Sequence, residues 1–276
     1  MRSVFVAAIL LVLHLFTKAN EIDKLTTIKD VEHFLVEKVD SNFIRYADVG
    51  DSIVGFLKID VDRNGLTDLL VNSDHPFVIL DSGNGHYERS VMWAGQKTYR
   101  PVEIFQAKDG PLLLTKSSTD CGKVSSFDLD TLTFKLGGLI EYNSHPDRLQ
   151  IEKINLNTHD GYPGMNIEIS VDAGRWATCE ERYTSKIFAG IVDSAYFDKL
   201  MQTINYINLS SLSNSYPMVG LECLWSDQEV YTLEVTFDNG QIKKISDYGG
   251  GGTFGLVALY KQLVNLESEK RLEELR

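Results

Sequence analysis

Residues 60–68 read D-V-D-R-N-G-L-T-D, and no other stretch restricts this 276-residue chain so tightly. Side-chain oxygens recur at alternate positions on Asp60, Asp62 and Asn64, and again on Asp68; in the gap, Leu66 can offer only its backbone carbonyl. A hard cation such as Ca²⁺ takes roughly six to eight oxygens, so a short segment that supplies several of them must curl until alternate residues converge. Gly65 provides the backbone freedom for that curl. The expected ligands are Asp60, Asp62, Asn64, the carbonyl of Leu66, and Asp68, with Ca²⁺ as the cofactor and Arg63 directed to solvent. The competing reading of the same residues is an Asx-rich turn that folds by bonding its own backbone and binds nothing. No nucleophile or general base adjoins the loop, so the expected role of the ion is structural.

The spacing follows an EF-hand loop through its ninth position, but Val71 stands at the twelfth, where an EF-hand needs a bidentate glutamate. The flanks, 55–59 and 68–72, read as short strands rather than helices. A strand–loop–strand with D-x-D-x-N-G-x-x-D, over residues 53–80, resembles a single FG-GAP/VCBS-type repeat, a unit of secreted β-propeller and adhesion-like proteins. Asp128-Leu129-Asp130 and Asp238-Asn239-Gly240 lack the remaining ligands. A propeller needs several blades, so one copy argues against a full propeller.

Residues 1–19 have the pattern of a secretory signal peptide. Arg2 gives the positive start, residues 4–16 are apolar apart from His14, and Thr17 and Ala19 occupy the −3 and −1 positions of a cut after Ala19. The apolar run is shorter than the ~20 residues of a spanning helix. No second run is long enough to span a bilayer, and no cysteine follows the cut. The expected product is extracytoplasmic, secreted or periplasmic, with no membrane span after cleavage. Its net charge of −12, which becomes more negative when Arg2 and Lys18 leave, sets it against nucleic acid and anionic lipid as partners. Of the three cysteines, Cys121, Cys179 and Cys223, an oxidising compartment permits one disulfide. Cys179 with Cys223 and three reduced thiols are the two arrangements weighed, and no spacing matches a zinc site.

The expected fold class is α+β in two domains. The first, 20–149, is sheet-rich and carries the calcium loop. It opens on a short helix capped by Thr27, with Asp30 three residues on and Val31, Phe34 and Leu35 on its apolar side, Ile28 being a further candidate for that side. Strands then recur between turn formers: 77–80 and 87–93 around Ser82-Gly83-Asn84-Gly85, 102–107 and 111–115 around Asp109-Gly110, and two more within 129–140. The second, 150–276, is an antiparallel sheet with two helices. A strand starts at Ile151, and Ile167, Ile169 and Val171 alternate after Met165. Asp172-Ala173-Gly174 closes a hairpin onto 175–183. Asp193 or Ser194 caps a helix whose Phe197, Leu200, Met201 and Ile204 share one face. Strands 231–237 and 241–248 flank Asp238-Asn239-Gly240. A last helix follows Thr253 with Leu256, Leu259, Leu263 and Leu266 in register, ending in a charged, frayed tail at 267–276.

This order, with its Phe-x-x-Leu helix and a hairpin ending in Asp247-Tyr248 before a glycine-rich turn, resembles the family of domains of unknown function numbered 6438, DUF6438, over residues 150–267. The resemblance implies a secreted, mostly bacterial setting and an architecture, with no activity to carry over. Many members have a C-F-G-T-C-P-like stretch in the first loop. Here that position reads G-Y-P-G-M-N (161–166), without cysteine, so a redox role of that loop is not expected.

Other constellations have bland readings. Gly249 to Gly252 stand before a helix, where backbone amides can cradle phosphate. The Lys-Ser/Thr of a P-loop is missing, and a strand-to-helix turn is expected. His75 with His86, Cys121 with His145, and the pairs Glu180-Glu181 and Asp227/Glu229 lack the partners that a site needs. Asn208-Leu209-Ser210 is a sequon that matters only if the source glycosylates exported proteins. The expected function is an exported, non-catalytic, calcium-binding structural or protein-binding accessory role. The alternatives are an extracellular hydrolase using His145 or His159, or an inhibitor-like binder of another exported protein through aromatics such as Trp176 and Trp225.

Overall fold

The computed structural model describes residues 20–39, 52–94, 97–119, 128–159, 166–217, 228–268 and 272–275. The chain divides into two compact units, 1–92 and 93–276. The change of pattern at 150 coincides with a change of sheet, from the one whose last strand is Gly138–Glu141 to the one that holds the strand Ile151–His159. The signal-peptide reading, Cys121, Cys223, Trp225, Asp227 and the loop at 160–165 lie outside the described residues.

In the first unit, helix α1 (Ile28–Phe34) continues as a π-helical turn, Leu35–Val39. Its start is the expected capping box. Thr27 accepts from the Asp30 amide, and Asp30 accepts from the amides of Thr26 and Thr27, which hold its carboxyl down at about 2. Strands β1 (Gly55–Ile59), β2 (Asp68–Asn72), β3 (Phe77–Asp81) and β4 (Tyr87–Val91) form an antiparallel meander in chain order. Leu69, Val71, Phe77 and Ile79 pack with Ile22, Val31, Phe34 and Leu35, and Phe34 meets Tyr87 edge-on at 4.9 Å. Because β side chains alternate, one face of the meander takes the helix.

Among the described residues, the second unit holds two sheets. Strands β5 (Trp93–Ala94), β6 (Lys97–Ala107), β7 (Gly110–Thr119), β8 (Asp128–Lys135) and β9 (Gly138–Glu141) are a second meander. The long β6 contains Pro101, which cannot donate to a ladder; it is accommodated where the register slips between Pro101 and Glu103. Then follow β10 (Ile151–His159), β11 (Ile167–Asp172), β12 (Trp176–Glu181), β13 (Lys186–Ile191), helix α2 (Ser194–Tyr206), β14 (Ser215–Tyr216), β15 (Val230–Phe237), β16 (Ile242–Tyr248), helix α3 (Phe254–Ser268) and β17 (Glu273–Glu274). Their sheet runs β14-β16-β15-β10-β11-β12-β13-β17, antiparallel except where β14 joins β16. The architecture is α+β, with three α-helices among the described residues.

Inward residues of this sheet, Ile154, Leu156, Ile169, Val171, Cys179, Leu233, Val235 and Ile245, form one core with α2 and α3. The α2 stripe is rotated from the expected one. Tyr196, Leu200, Thr203 and Ile204 are buried, while Phe197 and Met201 are half-buried at its margin. The reason is tertiary: the Tyr196 hydroxyl donates to the Gln262 carbonyl of α3, and Thr203 donates to Gln262 Oε1 at 3.1 Å. Three strands go beyond the expectation. β13 falls between the expected strand at 175–183 and the helix capped at 193–194, β14 is two residues long, and β17 lies in the tail expected to fray, where Leu272 is instead buried in the core. Helix α3 contacts β9 as well as the large sheet's core, which is why both sheets belong to one unit.

Candidate metal centre

The loop between β1 and β2 is closed by the pairing of Ile59 with Asp68, so its first and last acidic residues start side by side. Arg63 and Gly65 take left-handed conformations, φ +65° and +87°, and coil the segment between them. Asp60 accepts from the amides of Asn64 and Gly65, at 3.0 and 2.9 Å. Asp62 Oδ1 also accepts from the Asn64 amide, at 3.1 Å. Asn64 Oδ1 accepts from the Leu66 amide at 2.8 Å, while its Nδ2 donates to Asp62 Oδ2 at 3.2 Å and to the Asp81 carbonyl at 2.7 Å.

Asp68 is fully buried and braces the loop against β3. Its Oδ2 accepts from the Val61 amide at 2.7 Å and its Oδ1 from the Asp81 amide at 2.9 Å. Burial pushes its carboxyl up to about 6, with the Asp62 charge adding to the rise and the two amides opposing it. Burial, and then the Asp60 charge, also raise Asp62.

Asp60, Asp62 and Asp68 each present a carboxylate oxygen, and the three lie within 4.8 Å of one another. Oxygens that share a Ca²⁺ at its usual bond length of about 2.4 Å can stand at most about 5 Å apart, so this set fits one such ion. Of the five expected ligands, the structure brings these three together. Asn64 lies beside them, bonded to Asp62, and Leu66 is held through its own amide. Two residues that the spacing did not single out matter as much. Asp81 binds the loop through its backbone at both Asn64 and Asp68, and Asn20 donates from Nδ2 to the Thr67 carbonyl at 2.6 Å. Neither carries a local signal, because both reach the loop only through tertiary packing.

The glycine turn is a contrasting case. Glu141 on β9 accepts from the amides of Phe254 and Gly255 at 2.8 and 3.0 Å, filling the anion position at the start of α3. Asp247, fully buried at the end of β16, accepts from the Gly252 amide at 2.9 Å. The chain's own carboxylates occupy the places that a phosphate would take. His75, His86 and His145 are exposed, and the His145 ring lies 2.7 Å from Ser144 Oγ. An open depression of about 530 Å³ beside α2, which Lys135, Arg148, Asp198, Gln202 and Tyr206 help to line, holds no Ser, Cys or His among its described residues. The sequon's Asn208 is engaged through Oδ1, which accepts from the Asp147 amide at 2.8 Å. Cys179 is buried on the inner face of β12.

No curated protein and no solved structure matches the chain. The family model of a domain of unknown function, DUF6438, matches residues 163–267, so the resemblance of the C-terminal half is shown for the segment that runs from β11 through α3.

Proposed function

We propose that this is an exported protein whose 60–68 loop holds one structural Ca²⁺, in a non-catalytic accessory role built on structure and protein binding. The observation that carries the calcium reading is the convergence of Asp60, Asp62 and Asp68, one of them fully buried, to oxygen separations that a single Ca²⁺ can bridge. A cation there offsets the mutual repulsion and burial that raise Asp62 and Asp68. Export is supported by the signal-like residues 1–19 and by Asn20, the first residue after the expected cut. Its side chain is already tied into the fold at Thr67 and at the Ile22 amide. Among the described residues, no helix is long and apolar enough to cross a membrane.

The test is a thermal melt of residues 20–276 in millimolar Ca²⁺ and in chelator, beside Asp62→Ala. A midpoint several degrees higher in Ca²⁺ for the wild type, and no shift for the variant, is expected. At free Ca²⁺ one hundred times the dissociation constant the gain is roughly 2.7 kcal/mol. A wild-type midpoint indifferent to Ca²⁺ would make the loop an ordinary turn.

A further inference from the structure

The large sheet ends on one side in β13, and what lies on that edge is the chain's own C-terminal segment. Phe188 pairs with Glu274 and Ala189 with Glu273, and the Leu275 amide donates to the Ile187 carbonyl at 2.7 Å. Two side chains fasten the segment. Leu272 is 7% exposed and joins the core formed by the sheet and its helices, and Glu274 meets Lys186 at 3.5 Å. One step along the same antiparallel register places Leu272 opposite Gly190, a residue with no side chain to oppose an incoming one. This is the grammar of an added strand: ladder bonds give affinity, and a side chain sunk at one position gives selectivity.

Among the described residues, the segment is short for the edge it covers. The ladder takes in residues 187–189, and beyond it stands Ile191, 63% exposed, paired across the sheet with Trp176, 49% exposed. An edge strand with an exposed isoleucine–tryptophan pair at its end invites a further strand, and two paired residues are a thin cover for it. The Lys186–Glu274 contact is a surface ion pair, and pairs of that kind contribute little to holding a segment down.

We propose that the β13 edge is a docking site for an extended peptide of a partner protein, and that residues 272–275 occupy it in cis until displaced. The resident segment states the chemistry that the edge accepts: a leucine facing Gly190, followed by acidic residues near Lys186. The partner strand is longer than the resident one and places an apolar side chain beside Ile191 and Trp176. This deepens the protein-binding half of the proposed function. It draws on none of the loop residues, so a failed calcium melt and a failed peptide titration are separate results.

The experiment titrates a fluorescein-labelled peptide, K-R-L-E-E-L-R, the sequence of residues 270–276, into the chain 20–276, the chain 20–271 and the full-length Leu272→Asp variant, followed by anisotropy. Saturable binding to the two altered chains is expected, at least ten-fold weaker binding to the intact chain, and none when the peptide's own leucine is replaced by aspartate. A folded 20–271 chain that ignores the peptide overturns the proposal, as does equal binding to intact and truncated chains. Dimers of the intact chain that dissociate on truncation assign the edge to a second copy and overturn the partner form. Should both altered chains fail to fold, hydrogen exchange on the intact chain decides. The Leu275 amide is expected to exchange at least one hundred-fold faster than amides between β12 and β13, and equal protection removes the displaceable strap.

Discussion

Glu141 and Gly255 lie 114 residues apart and meet at 3.0 Å, where a strand-end carboxylate accepts the amide that opens α3. With the Phe254 amide at 2.8 Å, the same carboxylate satisfies two of the four donors that a helix start leaves without partners. The contact ties the β5–β9 meander to the helix that crosses the core of the large sheet. Glu141→Ala should destabilise the mature chain by about 2 kcal/mol, at the upper end of the range for a lost cap, and Glu141→Gln by about half of that, since a neutral oxygen still accepts. Urea unfolding measures both. An alanine variant as stable as wild type would remove the cap from the account.

The glycines of the turn before α3 should not be equivalent. A Cβ on Gly250, at φ +62°, would stand 2.6 Å from the Tyr231 ring, and one on Gly252 would stand 2.6 Å from the Tyr216 ring and 2.9 Å from Asp247 Oδ2. Gly249 is also left-handed, at φ +79°, but its nearest neighbour is Gln228 Cβ at 3.8 Å. Gly249→Ala should cost about 1–2 kcal/mol, the backbone penalty alone. Gly250→Ala and Gly252→Ala should cost on the order of 1–3 kcal/mol in forced packing, to which Gly250 adds its backbone term. Similar midpoints for all three alanine variants in chemical denaturation would contradict the tight seating.

Asp247 should make stability fall as the solution becomes less acid. Burial raises its carboxyl from 3.8 to about 6 in the folded protein, and Tyr216, Tyr231 and Tyr260 stand around it. A folded state that holds a proton more tightly than the unfolded chain is most favoured below the unfolded value. It loses that advantage as pH rises through the folded one. The contribution is therefore full below about 4 and is lost by about 6 to 7, with up to roughly 3 kcal/mol at stake. Asp247→Asn should flatten this part of the profile. The measurement is the difference between wild type and variant in unfolding free energy from pH 4 to 7, and a pH-independent difference would count against it.

Asp62 and Asp68 should separate ligand from brace. Asp68 receives amides from both Val61 and Asp81, so Asp68→Asn turns an NH₂ toward one donor and should cost about 2 kcal/mol even in chelator. Asp62→Asn keeps an acceptor for the Asn64 amide and should leave the chelator midpoint within about 0.5 kcal/mol of wild type while abolishing the calcium shift. Paired melts with and without Ca²⁺ resolve the two. Equal behaviour of the variants in chelator would mean that Asp68 carries no structural load.

What the sequence determined by itself is local. The alternation of oxygens over 60–68 and the glycine among them placed the loop between two strands. Thr27 with Asp30 started α1, Asp193 started α2, and Asp172-Ala173-Gly174 and Asp238-Asn239-Gly240 set two hairpins. Each of these rests on groups within a few residues of one another, where spacing and backbone geometry decide the outcome. Tertiary structure decided the rest. β13 shows no clean alternation, because both of its neighbours in the sheet and the core beneath it choose its pairing. Two-residue strands such as β14 and β17 are too short to have a period. The buried stripe of α2 turned toward Tyr196 because Gln262 of α3 offers its hydroxyl an acceptor. Asp68 became a brace because β3 brings the Asp81 amide to it, and α3 gained its cap because β9 brings the Glu141 carboxylate to the amides of Phe254 and Gly255. Those choices depend on which distant surfaces meet, and the burial and hydrogen bonding that settle them exist only once the chain has folded.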